Sequence, residues 1–218
     1  MLREIRPALP LLVSIVLFLT GALSAQPKSE LDQKVRAFLA SREGTWRDMN
    51  VPETDGQTLH DLVLKNKYKR ALEIGTSTGH SGIWIAWALA KTGGKLITID
   101  IDGERHREAV ANFRAAGLAD YVDARLADAH ELVPKLPGPF DFVFSDADKD
   151  WYVKYAEATL PKLTVGGCFV AHNVSEGGGW RRGGWVADFV DFLKKQPNLE
   201  TTFDSRGGGM SISFKRAK

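Results

Sequence analysis

Short apolar runs alternate with segments of helical period from residue 59 onward. Ala71–Ile74, Lys95–Asp100, Tyr121–Ala127, Phe140–Ser145 and Cys168–Ala171 have the length and composition of buried strands. Phe140–Ser145 is close to a continuous apolar run, as expected of a strand covered on both faces. Between these runs, Leu59, Leu62 and Val63 mark one helix, and Ile83–Ala90 is apolar almost all round. Gly103–Ala116 turns Val110 and Phe113 inward, and Trp151–Leu160 stops at Pro161. Trp185, Val186, Phe189, Val190 and Leu193 line one side of a later helix. Leu199–Asp204 and Met210–Phe214 then read as an antiparallel pair. Strands alternating with helices imply an α/β fold with a parallel sheet and right-handed crossovers.

Upstream, Leu31, Val35, Phe38 and Leu39 recur at helical spacing behind a candidate Ser29 cap. That helix packs on the domain or on a partner subunit. Ser41–Gly56 reads as a loop. The division expected is 1–25, then 26–56 as linker, helix and loop, then 57–218 as the main domain.

The first twenty-five residues differ from the rest. Arg3 and Arg6 precede the apolar run Leu11–Thr20 and the small residues of Gly21–Ala25. This is the pattern of a signal peptide or, uncleaved, of an N-terminal anchor. Read literally, it exports the domain or tethers it to a membrane. A later start would leave a cytoplasmic protein, but Met49 is too late to spare the Leu31–Leu39 helix.

Net charge is +2, which does not suggest a nucleic-acid surface. Cys168 is the sole cysteine, so it has no internal disulfide partner, and its apolar strand favours burial.

The chemistry concentrates where strands end. Ala71–Ser81 is a strand, a glycine turn and a helix start. Gly75 and Gly79 let the backbone turn sharply and approach a ligand, and the amides after Gly79 open a helix that can receive a carboxylate. Asp100 ends the next strand, where a carboxylate accepts hydrogen bonds from two ribose hydroxyls. The dinucleotide spacing G-x-G-x-x-G fails here, because Ser77 and His80 stand where glycines are needed. Glu73, at the end of the strand, would repel phosphates and suit a cationic, amine-bearing ligand. This favours S-adenosylmethionine over NAD.

With those residues, the chain resembles the cation-dependent O-methyltransferases of the catechol and caffeoyl-coenzyme A type. The likeness runs from about Val51 to Lys215. It rests also on Phe140–Asp150, which contains Asp-Ala-Asp-Lys, on Val165–Asn173 with its Gly-Gly pair, and on Gly207–Ser213. The resemblance implies a Rossmann-like methyltransferase fold, a mostly parallel seven-stranded sheet with helices on both faces and an antiparallel C-terminal pair. It implies a cofactor site at Val51, Glu73, Gly75, Thr76, Gly79, Ser81, Asp100, Asp128, Ala129 and Asp148. Asp148 reads equally as a helix cap. Lys149 matches the family's general base.

The family's cation ligands fall on Asp146, His172 and Asn173, and here the chain departs from the pattern: a histidine replaces an aspartate. Three readings stand open. His172 ligates a transition metal rather than magnesium; the site is metal-free with His172 as general base; or His172 is a hydrogen-bonded residue at a strand end. His80 has no match that assigns it chemistry and reads as structural. Ser175–Trp185, with five glycines, Trp180, Trp185, Arg181 and Arg182, reads either as a loop over the acceptor or as plain surface.

The function implied is methyl transfer from S-adenosylmethionine to a hydroxyl of a small aromatic, vicinal-diol-like acceptor, by a possible homodimer. The rivals are a methyltransferase-fold binder without transfer activity and an NAD-dependent oxidoreductase.

Overall fold

The computed structural model describes residues 28–46, 49–176 and 184–217. The candidate signal segment lies outside them. Five parallel strands are β1 (Arg70–Ile74), β2 (Lys95–Asp100), β3 (Val122–Leu126), β4 (Phe140–Ser145) and β5 (Leu163–His172). They continue into β6 (Leu199–Asp204) and β7 (Met210–Lys215), in the order β3-β2-β1-β4-β5-β7-β6. β7 runs antiparallel to both of its neighbours, β5 and β6.

The helices are α1 (Lys28–Ser41), α2 (Glu53–Asn66), α3 (His80–Thr92), α4 (Gly103–Ala115), the short α5 (Ala129–Leu132), α6 (Tyr152–Thr159) and α7 (Gly184–Lys194). They cover the two faces of the sheet, and β4 shows how. Phe142 and Phe144 point to the core shared with α1–α4, while Val143 points to the core shared with α6 and α7. Leu31 and Val35 of α1 join the first core, and Asp32 pairs with Lys91 of α3 at 2.8 Å. The N-terminal helix therefore packs on the domain.

Several boundaries differ from expectation. Residues 53–56 are helical rather than loop, because α2 starts directly after Pro52, whose φ of −59° suits a helix entry. β5 starts at Leu163 rather than Cys168. Its pairing with β4 shifts register around Gly166 and Gly167, which carry no apolar signal although the chain there is extended. The helix after β4 is shorter than Trp151–Leu160 and is flanked by single 3-10 turns.

The strand order reverses between β1 and β4, since β2 and β3 lie on one side and β5 on the other. A crevice forms at such a point, outside the carboxyl ends of the strands. Gly75, Asp100, Asp146 and His172 all stand at that edge, at the ends of β1, β2, β4 and β5.

Candidate functional site

A cavity of about 700 Å³ opens at this edge. Gly75, Thr76, Ser81, Asp100, Asp128 and Ala129 line one part of it; Asp146, Asp148, Lys149, His172 and Asn173 line the other. These eleven positions, chosen from sequence, come together. Val51, Glu73 and Gly79 are not on the wall.

Asp100 is held from behind. Its Oδ2 accepts from Ser77 N at 2.7 Å and its Oδ1 from Asp102 N at 2.8 Å. Each oxygen keeps a lone pair, so the carboxylate is a rigid acceptor beside the glycine turn. That turn needs glycine: Gly75 has φ +97°, and a Cβ there would lie 2.8 Å from the carbonyl of Asp146. The close approach of the two backbones binds the end of β1 to the end of β4.

Glu73 lies behind the wall. It is wholly buried, and Thr98 donates to its Oε2 at 2.5 Å. Burial raises its pKa to about 8, so the carboxyl is neutral at neutral pH. The expectation that its negative charge selects the ligand is corrected: Glu73 bonds to neighbouring hydroxyls in the interior. Val51 is core, and its carbonyl accepts from His80 Nδ1 at 2.9 Å. Trp84 Nε1 donates to the other ring nitrogen of His80 at 3.1 Å, so His80 is a structural residue. Gly79 caps α3 with φ +95°.

Asp148 makes no helix-cap bond with its side chain. Instead its Oδ1 accepts from Tyr155 Oη at 2.8 Å, and its Oδ2 meets His130 Nε2 at 2.7 Å. His130 stacks on Trp151, with ring centroids 3.5 Å apart. Asp128 caps α5 by accepting from His130 N at 2.8 Å.

The second group centres on Asp146. Its Oδ1 lies 2.5 Å from Lys149 Nζ and 3.2 Å from His172 Nδ1. Lys149 also donates to Tyr152 Oη at 2.7 Å, and that hydroxyl donates to the His172 carbonyl at 3.1 Å. The other ring nitrogen of His172, Nε2, lies 2.8 Å from Asp55 Oδ2. Asp55 Oδ2 accepts as well from Gly208 N at 2.8 Å. Both ring nitrogens therefore face carboxylate oxygens, which only the doubly protonated ring satisfies. Burial alone would lower the pKa of His172, but Asp146 and Asp55 outweigh it and lift the value to about 9. Burial likewise opposes ionisation of Asp146, yet the His172 bond and the Lys149 charge hold its carboxyl below the usual range.

This donor set does not fit a divalent cation. Asp146 Oδ1 is shared by two cationic groups, and His172 has no bare nitrogen to offer. Of the oxygens left over, Asp55 Oδ1 abuts backbone: a Cβ on Gly207 would lie 2.2 Å from it. Among the described residues, no three His, Cys, Asp or Glu side chains converge as a metal site would require. A protonated His172 is equally unfit as a general base at neutral pH.

Asp55 and His130 were missed by sequence reasoning. Asp55 falls in the stretch read as loop, and its contact with His172 leaves no local signal. His130 follows Asp128 by two residues, and that proximity to a strand end was the available sign. Trp185 stands edge-on to Tyr152 at 5.7 Å and does not line the cavity. Trp180, Arg181 and Arg182 lie outside the described residues.

Comparison with known proteins gives the family. The family described as O-methyltransferase matches residues 22–182. A catechol O-methyltransferase of Mycobacterium tuberculosis is 38% identical over 76% of this chain and 78% of its own length. One from Niastella koreensis is 37% identical over 60% of each chain, so the match spans less than two thirds of that relative. The crystal structure of an O-methyltransferase from Bacillus cereus in complex with SAH is 25% identical, with TM-score 0.71 over 89% of this chain and 94% of that one.

Proposed function

The chain belongs to the O-methyltransferase family, and from that premise we propose that it transfers the methyl group of S-adenosylmethionine to a hydroxyl of a small aromatic acceptor of the catechol type. The observation that carries this reading is the shared cavity. The Asp100 carboxylate and the Gly75 turn open onto the same space as the Lys149 ammonium.

S-adenosylmethionine supplies an electrophilic methyl on a sulfonium. The chain's own residues do the rest. Asp100, anchored by two backbone amides, accepts from the ribose hydroxyls. Ser81 and the amides that open α3 receive the carboxylate of the methionine portion. Asp128, Ala129 and the His130–Asp148 pair border the base. Lys149, held by Asp146 and Tyr152, faces the acceptor and stabilises its oxygen as the hydroxyl passes its proton to solvent; that oxygen then bonds to the methyl carbon as the carbon–sulfur bond breaks and S-adenosylhomocysteine leaves. A preplaced charge of this kind acts where negative charge develops and needs no reorganisation. The catechol acceptor is supported by the names of the relatives and by a cavity that has room beyond the cofactor part.

NAD is disfavoured because Ser77 and His80 replace glycines where a pyrophosphate would approach. Calorimetry separates the classes. S-adenosylmethionine and S-adenosylhomocysteine are expected to bind, and NAD is not. Catechol is expected to bind more tightly once S-adenosylhomocysteine is present. Binding of NAD in preference to either sulfur compound would overturn the reading.

A further inference from the structure

We propose that a cation pair made by the protein itself, His172 and Lys149 on Asp146 with Asp55 behind, stands in place of the divalent cation of this family, so that methyl transfer here proceeds with no metal bound. The inference rests on the reading of the site as an O-methyltransferase and specifies how its charge is supplied.

The first argument is charge balance. Asp55 and Asp146 are two buried carboxylates, their side chains 1% and 11% exposed. Unpaired, they would be costly to bury. His172 and Lys149 match them charge for charge. A dication added to this balanced group would leave it with a net double positive charge under low solvent exposure.

Geometry is the second argument. An imidazolium is flat, with its two N–H groups on different edges, and each here points at a carboxylate. A ring nitrogen that took a metal would have to lose its proton and leave Asp55 or Asp146 without its partner. The groups facing His172 come from every neighbouring element. They are Asp55 on α2, Asp146 after β4, Lys149 before α6, the Phe144 ring of β4 at 6.2 Å, and Gly208 in the β6–β7 turn.

The third argument is space. A Cβ on Gly208 would lie 2.5 Å from His172 Nε2, so the turn presses directly on the ring. Backbone, rather than open volume, occupies the far side of the histidine.

In this arrangement His172 is a positioning residue. It does not reach the acceptor with a free N–H. It keeps Asp146 ionised and oriented, and Asp146 in turn fixes Lys149 toward the cavity.

The test uses the full chain and Mn²⁺ as the metal probe. Free Mn²⁺ is followed by electron paramagnetic resonance, with elemental analysis of the purified protein alongside. The wild-type protein is expected to leave the Mn²⁺ signal free and to carry no stoichiometric metal. It should bind S-adenosylhomocysteine, and methylate catechol, equally well with and without excess chelator. The His172→Asp variant, which restores an all-oxygen set, is expected to gain Mn²⁺ binding. Stoichiometric Mn²⁺ binding by the wild type, or activity lost to chelator and restored by a divalent cation, would overturn the proposal. Failure to bind S-adenosylhomocysteine at all would instead strike the cofactor reading. Should His172→Asp not fold, nitrogen-15 NMR of the wild-type histidines decides. Two protonated nitrogens on His172 near neutral pH support the cation pair, and one bare nitrogen contradicts it.

Discussion

His172 Nε2 lies 2.8 Å from Asp55 Oδ2, although 117 residues separate them in the chain. The contact ties the start of α2 to the end of β5 beneath the cavity, and it makes the stability of this edge depend on pH. Against the lowering effect of burial, the Asp146 and Asp55 carboxylates beside His172 lift its pKa from 6.5 to about 9. A raised pKa contributes stability that is fully present below pH 6.5 and is lost as pH rises through about 9. Glu73, raised from 4.5 to about 8, pushes in the same direction because its carboxyl must ionise while buried. Denaturant unfolding of the wild type should therefore weaken between pH 6.5 and about 9. In His172→Gln the Glu73 part remains and the slope becomes shallower. That variant should also be less stable at neutral pH by about 3–5 kcal/mol, the cost of breaking a buried ion pair. Identical slopes in the two proteins would show that His172 is not held as a cation.

The cofactor end gives a second expectation. Asp100→Ala removes the acceptor at the end of β2, so affinity for S-adenosylhomocysteine should fall by about 1–3 kcal/mol, as for hydrogen bonds to a charged group. Calorimetry reads this directly. An unchanged dissociation constant would place the ribose elsewhere.

Gly75→Ala tests the close approach of β1 and β4. The left-handed conformation at φ +97° costs a side chain about 1–2 kcal/mol, before its clash with the Asp146 carbonyl is counted. The variant should melt earlier and bind S-adenosylhomocysteine more weakly, since any relief of the clash displaces Asp146. A variant with wild-type melting and wild-type affinity would contradict the packing described.

Much of this was legible in the chain because the signals are local. Lys95–Asp100 and Phe140–Ser145 have the bounds expected, since each is an apolar run closed by a polar residue. Asp100, Asp146 and His172 were legible as strand ends, and a parallel sheet gathers its carboxyl ends along one edge. What was not legible depends on burial and on long-range contact. Glu73 reads as a negative charge in sequence, and only its enclosure makes it neutral. Asp55 lies in a stretch without apolar pattern, so neither its helix nor its reach to His172 leaves a trace. The substitution at His172 announced a departure, but its meaning needed the second carboxylate.

The central claim is methyl transfer from S-adenosylmethionine to an acceptor hydroxyl at the Asp100–Lys149 cavity. The most direct measurement follows a labelled methyl group from S-adenosylmethionine to catechol by mass spectrometry, with wild type and Lys149→Met side by side. The wild type is expected to yield the mono-O-methylated product. Lys149→Met should bind S-adenosylhomocysteine as the wild type does while turning over about 10²–10³-fold more slowly, the range for loss of one preplaced group that stabilises developing negative charge. Wild-type protein that binds the cofactor but transfers no methyl to any hydroxylated aromatic, or a Lys149→Met variant of undiminished rate, would contradict the account.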